Sequence, residues 1–197
     1  MPRHKAAHLL AIGAILVLSC GSALAQVHHA LHITLKPGDH RFKAVDTVTL
    51  PANRSSPVTF RLHAGLEPQA QGSGVRLRQI SSTHRTEGYA VAIDGPRRQF
   101  TLVYEGKIFH PVTGASEEYD RSFNTSPGII GPSGVFLAGR SFWYSHVGDA
   151  LVTFSLTVSL PSGWRSVSQG TRRQPDASGE QRKESWTLDR PQQEIYM

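Results

Sequence analysis

The chain has 197 residues, with 21 Lys and Arg against 15 Asp and Glu for a net charge of +6, and a single cysteine. That length suits one domain with its own core better than two, and one cysteine excludes an intrachain disulfide. The basic pairs Arg97-Arg98, Arg172-Arg173 and Arg182-Lys183 stand beside turn-like sequence without interleaved aromatics, so they read as solvated loops and no nucleic-acid partner is expected.

The first 25 residues read as an export signal. Arg3 and Lys5 give a basic start, Leu9 to Leu18 is an apolar run, and Ala23-Leu24-Ala25 is a small-residue cleavage site. The run is shorter than the roughly 20 residues that cross a membrane. Cleavage after Ala25 leaves a mature domain at 26–197, expected in the periplasm or outside the cell, with 19 basic residues and a net charge of +4. A competing site is Val17-Leu18-Ser19-Cys20, which resembles a lipoprotein signal. Cys20 would then be acylated, and only in that case is a membrane anchor expected.

The mature sequence then reads as strands. Leu31, Ile33 and Leu35 alternate with His32 and Thr34 until Lys36-Pro37-Gly38-Asp39 breaks the pattern. Val58, Phe60 and Leu62 form a second such row. Tyr89, Val91 and Ile93 are followed by Asp94-Gly95-Pro96 and then by Phe100, Leu102 and Tyr104, which predicts a hairpin. Residues Glu117 to Ser133 and Gly170 to Glu184 read as long polar loops. Between them lies the longest alternation, Val152, Phe154, Leu156, Val158 and Leu160, stopped by Pro161-Ser162-Gly163. The final Ile195-Tyr196-Met197 reads as the start of another strand, an apolar end that suggests further sequence once followed. No window keeps a helical period. The expected class is all-β, an antiparallel β-sandwich or related sheet domain.

Chemistry-bearing motifs are few. His28-His29-x-x-His32 is the densest imidazole run, but on a strand His28 and His32 share a face that His29 does not, so the three cannot converge on one metal. It reads as a solvated strand edge. A narrower alternative is that Gln26-Val27-His28, freed by cleavage, wraps copper or nickel through its amine and third-position histidine. His84-x-x-Glu87 falls in a turn, and Glu117-Glu118-x-Asp120 lacks the alternating ligands and central glycine of a calcium loop. No G-x-S-x-G elbow occurs, and no local pattern selects a Ser/His/Asp set from the many distant combinations. Gly72-Ser73-Gly74 lacks the Gly-Lys ending of a phosphate loop, and H-E-x-x-H is absent. No catalytic residue, metal ligand or cofactor is therefore assigned within this chain.

Three stretches carry a resemblance. Phe100-Thr101-Leu102-Val103-Tyr104-Glu105-Gly106-Lys107-Ile108 fits an f-x-L-x-Y-x-G-x-I strand. Leu151 to Gln169 fits A-T-F-x-L-T-V-x-x-P-x-G-W and the segment after it. Trp186-Thr187-Leu188 with Ile195-Tyr196 fits a closing W-x-f…Y-l pair. In this order the chain, from Ala30 to Met197, resembles the N-terminal domain of the aminopeptidase N and leukotriene-A hydrolase family of zinc metallopeptidases. The resemblance implies a saddle-shaped β domain that packs on a thermolysin-like catalytic domain and walls its substrate chamber, with the zinc held by that other domain.

The expected function is thus a non-catalytic domain of an exported metallopeptidase-like protein, partnered by a missing or separate catalytic domain. The alternative is a free-standing periplasmic module for a peptide or protein ligand. One departure stands out: where the family has Q-x-E-x-x-x-A-R, this chain reads from Gly134 to Tyr144 as GVFLAGRSFWY. The Gln or Glu that holds a substrate's free amine has no counterpart there. Phe142, Trp143 and Tyr144 become candidates to line the chamber, weighed against plain core packing.

Overall fold

Every period-two row in the sequence is a strand. The computed structural model describes residues 26–54, 56–111, 126–173 and 181–197; the leader with Cys20 and the acidic run 117–120 lie outside them. The strands are β1 (Gln26–Lys36), β2 (Arg41–Thr49), β3 (Val58–His63), β4 (Gln69–Gln71), β5 (Val75–Ser82) and β6 (Thr86–Ile93), followed by β7 (Gln99–Lys107), β8 (Ile129–Gly131), β9 (Gly134–Phe136), β10 (Leu151–Pro161), β11 (Thr171–Arg172) and β12 (Gln181–Gln192). Two three-residue 3-10 turns, at Pro37–Asp39 and Gly139–Ser141, are the helical elements described.

A seven-stranded sheet in the order β11-β12-β10-β1-β2-β7-β4 faces a three-stranded sheet, β3-β6-β5, and β8-β9 forms a small hairpin. All pairs are antiparallel except β1 with β10, which run parallel from Gln26↔Leu151 to Thr34↔Ser159. The long row of β10 lies against the row of β1 on one face, and both are buried. Phe60 of the small sheet stacks 5.5 Å from Tyr89 beside it and 6.3 Å from Phe100 across the core. Those rings join the two layers.

The expected hairpin of Tyr89–Ile93 with Phe100–Tyr104 does not form. β6 pairs with β3 and β5, whereas β7 pairs with β2 and β4. Asp94-Gly95-Pro96 carries the chain from one sheet to the other. Asp94 N–H donates to the Gly74 carbonyl (2.8 Å), and Leu50 N–H donates to the Arg98 carbonyl (2.7 Å). A hairpin would set both apolar rows side by side in one sheet; here they oppose each other across the core. A turn signal marks a change of direction and leaves the pairing partner open.

Further expectations change: Glu117 to Ser133, read as a long loop, holds β8 at Ile129–Gly131. β1 is central, between β10 and β2, so its histidines do not sit at a sheet edge. The segment from Gly170 to Glu184 holds strand at both described ends, since β11 pairs with β12. Its basic pairs are not simply solvated, because Arg172 and Arg182 both bond the buried Glu184. At the chain's end, Met197 and Leu137 exchange two backbone hydrogen bonds of 2.8 Å, and Ile195 is fully buried.

Gly106, from the first resembling motif, lies where β7 meets the loop before β4. A Cβ there would run into the Gly65 carbonyl oxygen and sit 2.8 Å from Leu66 Cδ2. Gly106→Ala should therefore destabilise the domain by about 1–3 kcal/mol, read as a lowered denaturation midpoint. An unchanged midpoint would show that the loop yields without cost.

Candidate functional site

Asp46 occupies an inward position of β2, in the row Phe42, Ala44, Val48, and is 0% exposed. A carboxylate in such a row must be fully hydrogen-bonded. His29 Nδ1, from an inward position of β1, donates to Oδ1 at 3.0 Å, with Oδ2 at 3.2 Å. Ser145 donates to Oδ2 from both its hydroxyl (2.5 Å) and its N–H (3.2 Å). The three residues have the composition of a catalytic triad but another wiring. The serine hydroxyl bonds the carboxylate, not the imidazole, and all three side chains are sealed from solvent. A nucleophile needs the imidazole as its proton acceptor, so this cluster is a structural tie. The Tyr104 hydroxyl and His29 Nε2, both buried, find no protein partner.

Ser145 directly follows the stretch from Gly134 to Tyr144. Trp143 and Tyr144 beside it are both 0% exposed. Trp143 Nε1–H donates to the Ile195 carbonyl (3.1 Å), and Ile195 N–H donates to the Tyr144 hydroxyl (3.3 Å). Tyr144 also meets the His29 ring edge-on at 5.2 Å, and burial raises its hydroxyl well above its ordinary range. Phe142 alone of the three keeps surface; it takes a left-handed φ of 50° and lies under the Arg61 guanidinium at 4.8 Å. His146 is held by a backbone bridge to Arg61, and burial, then the Arg61 charge, lowers its protonation range.

A second buried acid was not visible in the sequence. Glu184, inward on β12, accepts from Ser166 N–H and hydroxyl at Oε2 (2.8 and 2.7 Å) and from Arg172 and Arg182 at Oε1 (2.6 Å each). Burial alone would raise this carboxyl. The Arg182, Ser166 and Arg172 hydrogen bonds outweigh it and hold the group down at about 2, from an ordinary 4.5.

The remaining sequence candidates disperse. His28 reaches Thr153 (3.0 Å), His32 is exposed on the outer face, and His84 sits at the β5–β6 turn while Glu87 accepts from the Tyr89 hydroxyl. Among the described residues no three His, Cys, Asp or Glu side chains group to hold a metal.

What the surface does offer is an apolar rim around the C-terminal segment. Phe136, Val167 and Tyr196 are 42%, 75% and 45% exposed. They flank one piece of backbone, since Leu137 pairs with Met197 and the Ser168 hydroxyl donates to the Tyr196 carbonyl at 2.8 Å. A groove of about 160 Å³ between Val135, Trp164, Val167 and Met197 indents the rim. Two adjoining grooves, about 290 and 380 Å³, share Leu151 and Gln193 and lead from His146 to Tyr196. The sequence marked only the apolar end at Ile195-Tyr196-Met197; Val167 stands alone between Ser166 and Ser168 and gave no signal.

Two outcomes test the buried acids. Asp46→Ala leaves three donors without an acceptor and should cost about 3 kcal/mol or more by chemical denaturation, against a smaller loss for Ser145→Ala. The folded state holds Glu184 at about 2. Its contribution to stability is thus complete above the unfolded-state value near 4.5 and disappears as pH falls from there toward 2. Denaturation midpoints across this window should fall more steeply for the wild type than for Glu184→Gln; parallel curves would contradict the assignment.

No protein-family model and no curated protein sequence matches the chain. Solved structures do. The fold is similar to that of an M1 zinc metallopeptidase from Deinococcus radiodurans bound to a Tyr-Ser-Ala substrate, with a TM-score of 0.61 and 17% identity over 89% of this chain and 43% of that one. It is similar also to a two-domain M1 zinc metallopeptidase bound to L-tryptophan (TM-score 0.57, 17% identity, 89% and 43%). Yeast LTA4 hydrolase gives a TM-score of 0.51 at 10% identity, over 88% and 28%. The chain spans less than half the length of each. It has the all-β, sandwich-like fold that forms one part of M1 zinc metallopeptidases.

Proposed function

We propose that this chain is the non-catalytic N-terminal domain of an exported zinc-metallopeptidase-like protein. It docks through the rim of Phe136, Val167 and Tyr196 on a catalytic domain and walls that domain's substrate chamber. The carrying observation is the rim itself, where three of the five large apolar side chains exposed among the described residues gather around one segment. Clustered exposed apolar surface marks interaction sites in soluble proteins. The shared fold supports the identity of the partner, since more than half the length of each similar metallopeptidase has no counterpart in this chain. Zinc, in this reading, belongs to the catalytic domain, and H-E-x-x-H is absent from this sequence. The polar grooves beside the rim supply hydrogen-bonding groups for the same contact.

A second reading, a free-standing periplasmic module that binds a peptide or protein, draws on the closed core: Trp143, Tyr144 and Ile195 are buried by this chain's own residues. The two readings part on the rim. The purified chain should bind a hydrophobic dye, and Phe136→Ser with Val167→Ser should abolish most of that signal without moving the denaturation midpoint. A monodisperse monomer that binds no dye would favour the free-standing module. Zinc-loaded chain should leave aminoacyl anilides intact, and measurable turnover would end the non-catalytic reading.

A further inference from the structure

His63 closes β3 with its ring 9% exposed. Its Nδ1 lies 2.7 Å from the Ala64 carbonyl oxygen, which can only accept. Nδ1 therefore carries the hydrogen, and Nε2 keeps a bare lone pair. That lone pair faces Nε2 of His110 at 2.8 Å, with the rings tilted by 53°. Two imidazole nitrogens at this separation must share one hydrogen, so His110 supplies it from Nε2.

The scaffold fixes both residues. His63 N–H donates to the Phe142 carbonyl (2.7 Å), His110 N–H donates to the Gly128 carbonyl (3.0 Å), and the Ser126 hydroxyl donates to the His110 carbonyl (2.5 Å). Burial holds His63 below its ordinary protonation range; the nearby His110 adds to this, while the Ala64 bond and Glu87 partly offset it. At neutral pH the ring is the neutral species that binds metals.

An imidazole whose far nitrogen donates to a backbone carbonyl, and whose near nitrogen meets a second imidazole, has the outer hydrogen bond that ordinarily orients a metal ligand. We infer that His63 and His110 form a two-imidazole site for a divalent d-block cation, copper(II) by preference. Copper heads the affinity order for nitrogen ligands, ahead of zinc and nickel. Metal–nitrogen bonds of about 2.0–2.1 Å at the right angle between neighbouring ligands of a tetragonal copper site separate two ligand nitrogens by about 2.9 Å, so the pair at 2.8 Å is already close to the spacing that binding requires. The bridging hydrogen leaves His110 Nε2 by exchange with solvent and returns at Nδ1, with no net proton released. No third His, Cys, Asp or Glu joins the pair among the described residues. Within the described residues, the remaining coordination positions are left to water or an incoming small ligand. The site is separate from the Gln26-Val27-His28 candidate, which uses other histidines.

The test titrates copper(II) into the purified chain by calorimetry and electron paramagnetic resonance, beside His63→Gln, His110→Gln and His28→Gln. One equivalent should bind the wild type with imidazole nitrogen coupling. Either pair substitution should weaken it at least about tenfold, and His28→Gln should leave it unchanged. Copper should also raise the wild-type Tm and not that of His110→Gln, which separates ligation from a purely structural tie. Should His63→Gln fail to fold, paramagnetic broadening of the His63 and His110 ring signals in the unsubstituted protein decides the matter. Affinity that survives both pair substitutions, is lost only with His28→Gln, or is absent from the wild type overturns the inference.

Discussion

The carboxylate of Asp46 is the constraint on which the rest of the molecule is arranged. An acid placed mid-strand in an apolar row forfeits its hydration, and the fold is tenable only where enough donors reach it. One donor comes from β1, diagonally across the strand pair, since Leu31 and not His29 stands directly opposite Asp46. The others come from Ser145, 99 residues along the chain. Fixing Ser145 fixes its neighbours: Trp143 and Tyr144 are held against Ile195, His146 bridges to Arg61 of β3, and Phe142 accepts from His63. The large sheet, the small sheet and the C-terminal segment thus meet at one segment anchored by one acid.

That same device explains what the sequence conceals. β3, β6, β7 and β10 have unbroken inward rows, and alternation finds them at once. β2 escapes because Asp46 interrupts Phe42, Ala44 and Val48. β1 begins five residues ahead of its visible alternation because inward His29 looks polar. β12 is masked from Gln181 by inward Glu184, whose arginine partners look like solvated charge. These three strands each carry a polar residue in the core row, satisfied by a partner that sequence proximity does not reveal, whereas β4, β5, β8, β9 and β11 are short or largely exposed and show no buried alternating row. The Phe142-Trp143-Tyr144 run was ambiguous for another reason. The left-handed φ at Phe142 breaks the strand period, so neither two- nor 3.6-residue spacing tells which ring faces in.

Saturation of the buried acids also bears on function. Glu184 accepts four hydrogen bonds, one for each lone-pair site of a carboxylate, and Asp46, 0% exposed, accepts from three donors of His29 and Ser145. Groups so occupied have nothing left for a substrate or a metal. The Ser/His/Asp composition at Asp46 is therefore a measure of how well the domain holds itself together and not of a reaction.

Chemistry or recognition must then come from groups whose capacity the fold leaves unused. Two kinds remain. The rim of Phe136, Val167 and Tyr196 is apolar surface that burial in a partner would remove from water, each side chain worth about 1.5–3 kcal/mol if fully covered. The His63–His110 pair holds a hydrogen between two nitrogens where one ligand bond each would serve a metal better. Neither depends on Asp46 for its own chemistry, but both are positioned by the segment that Asp46 anchors: the rim through Leu137 and Met197, the pair through Phe142. A closed core that aims its unused groups outward is the arrangement a docking domain requires, because association can then add contacts without disturbing those that fold it.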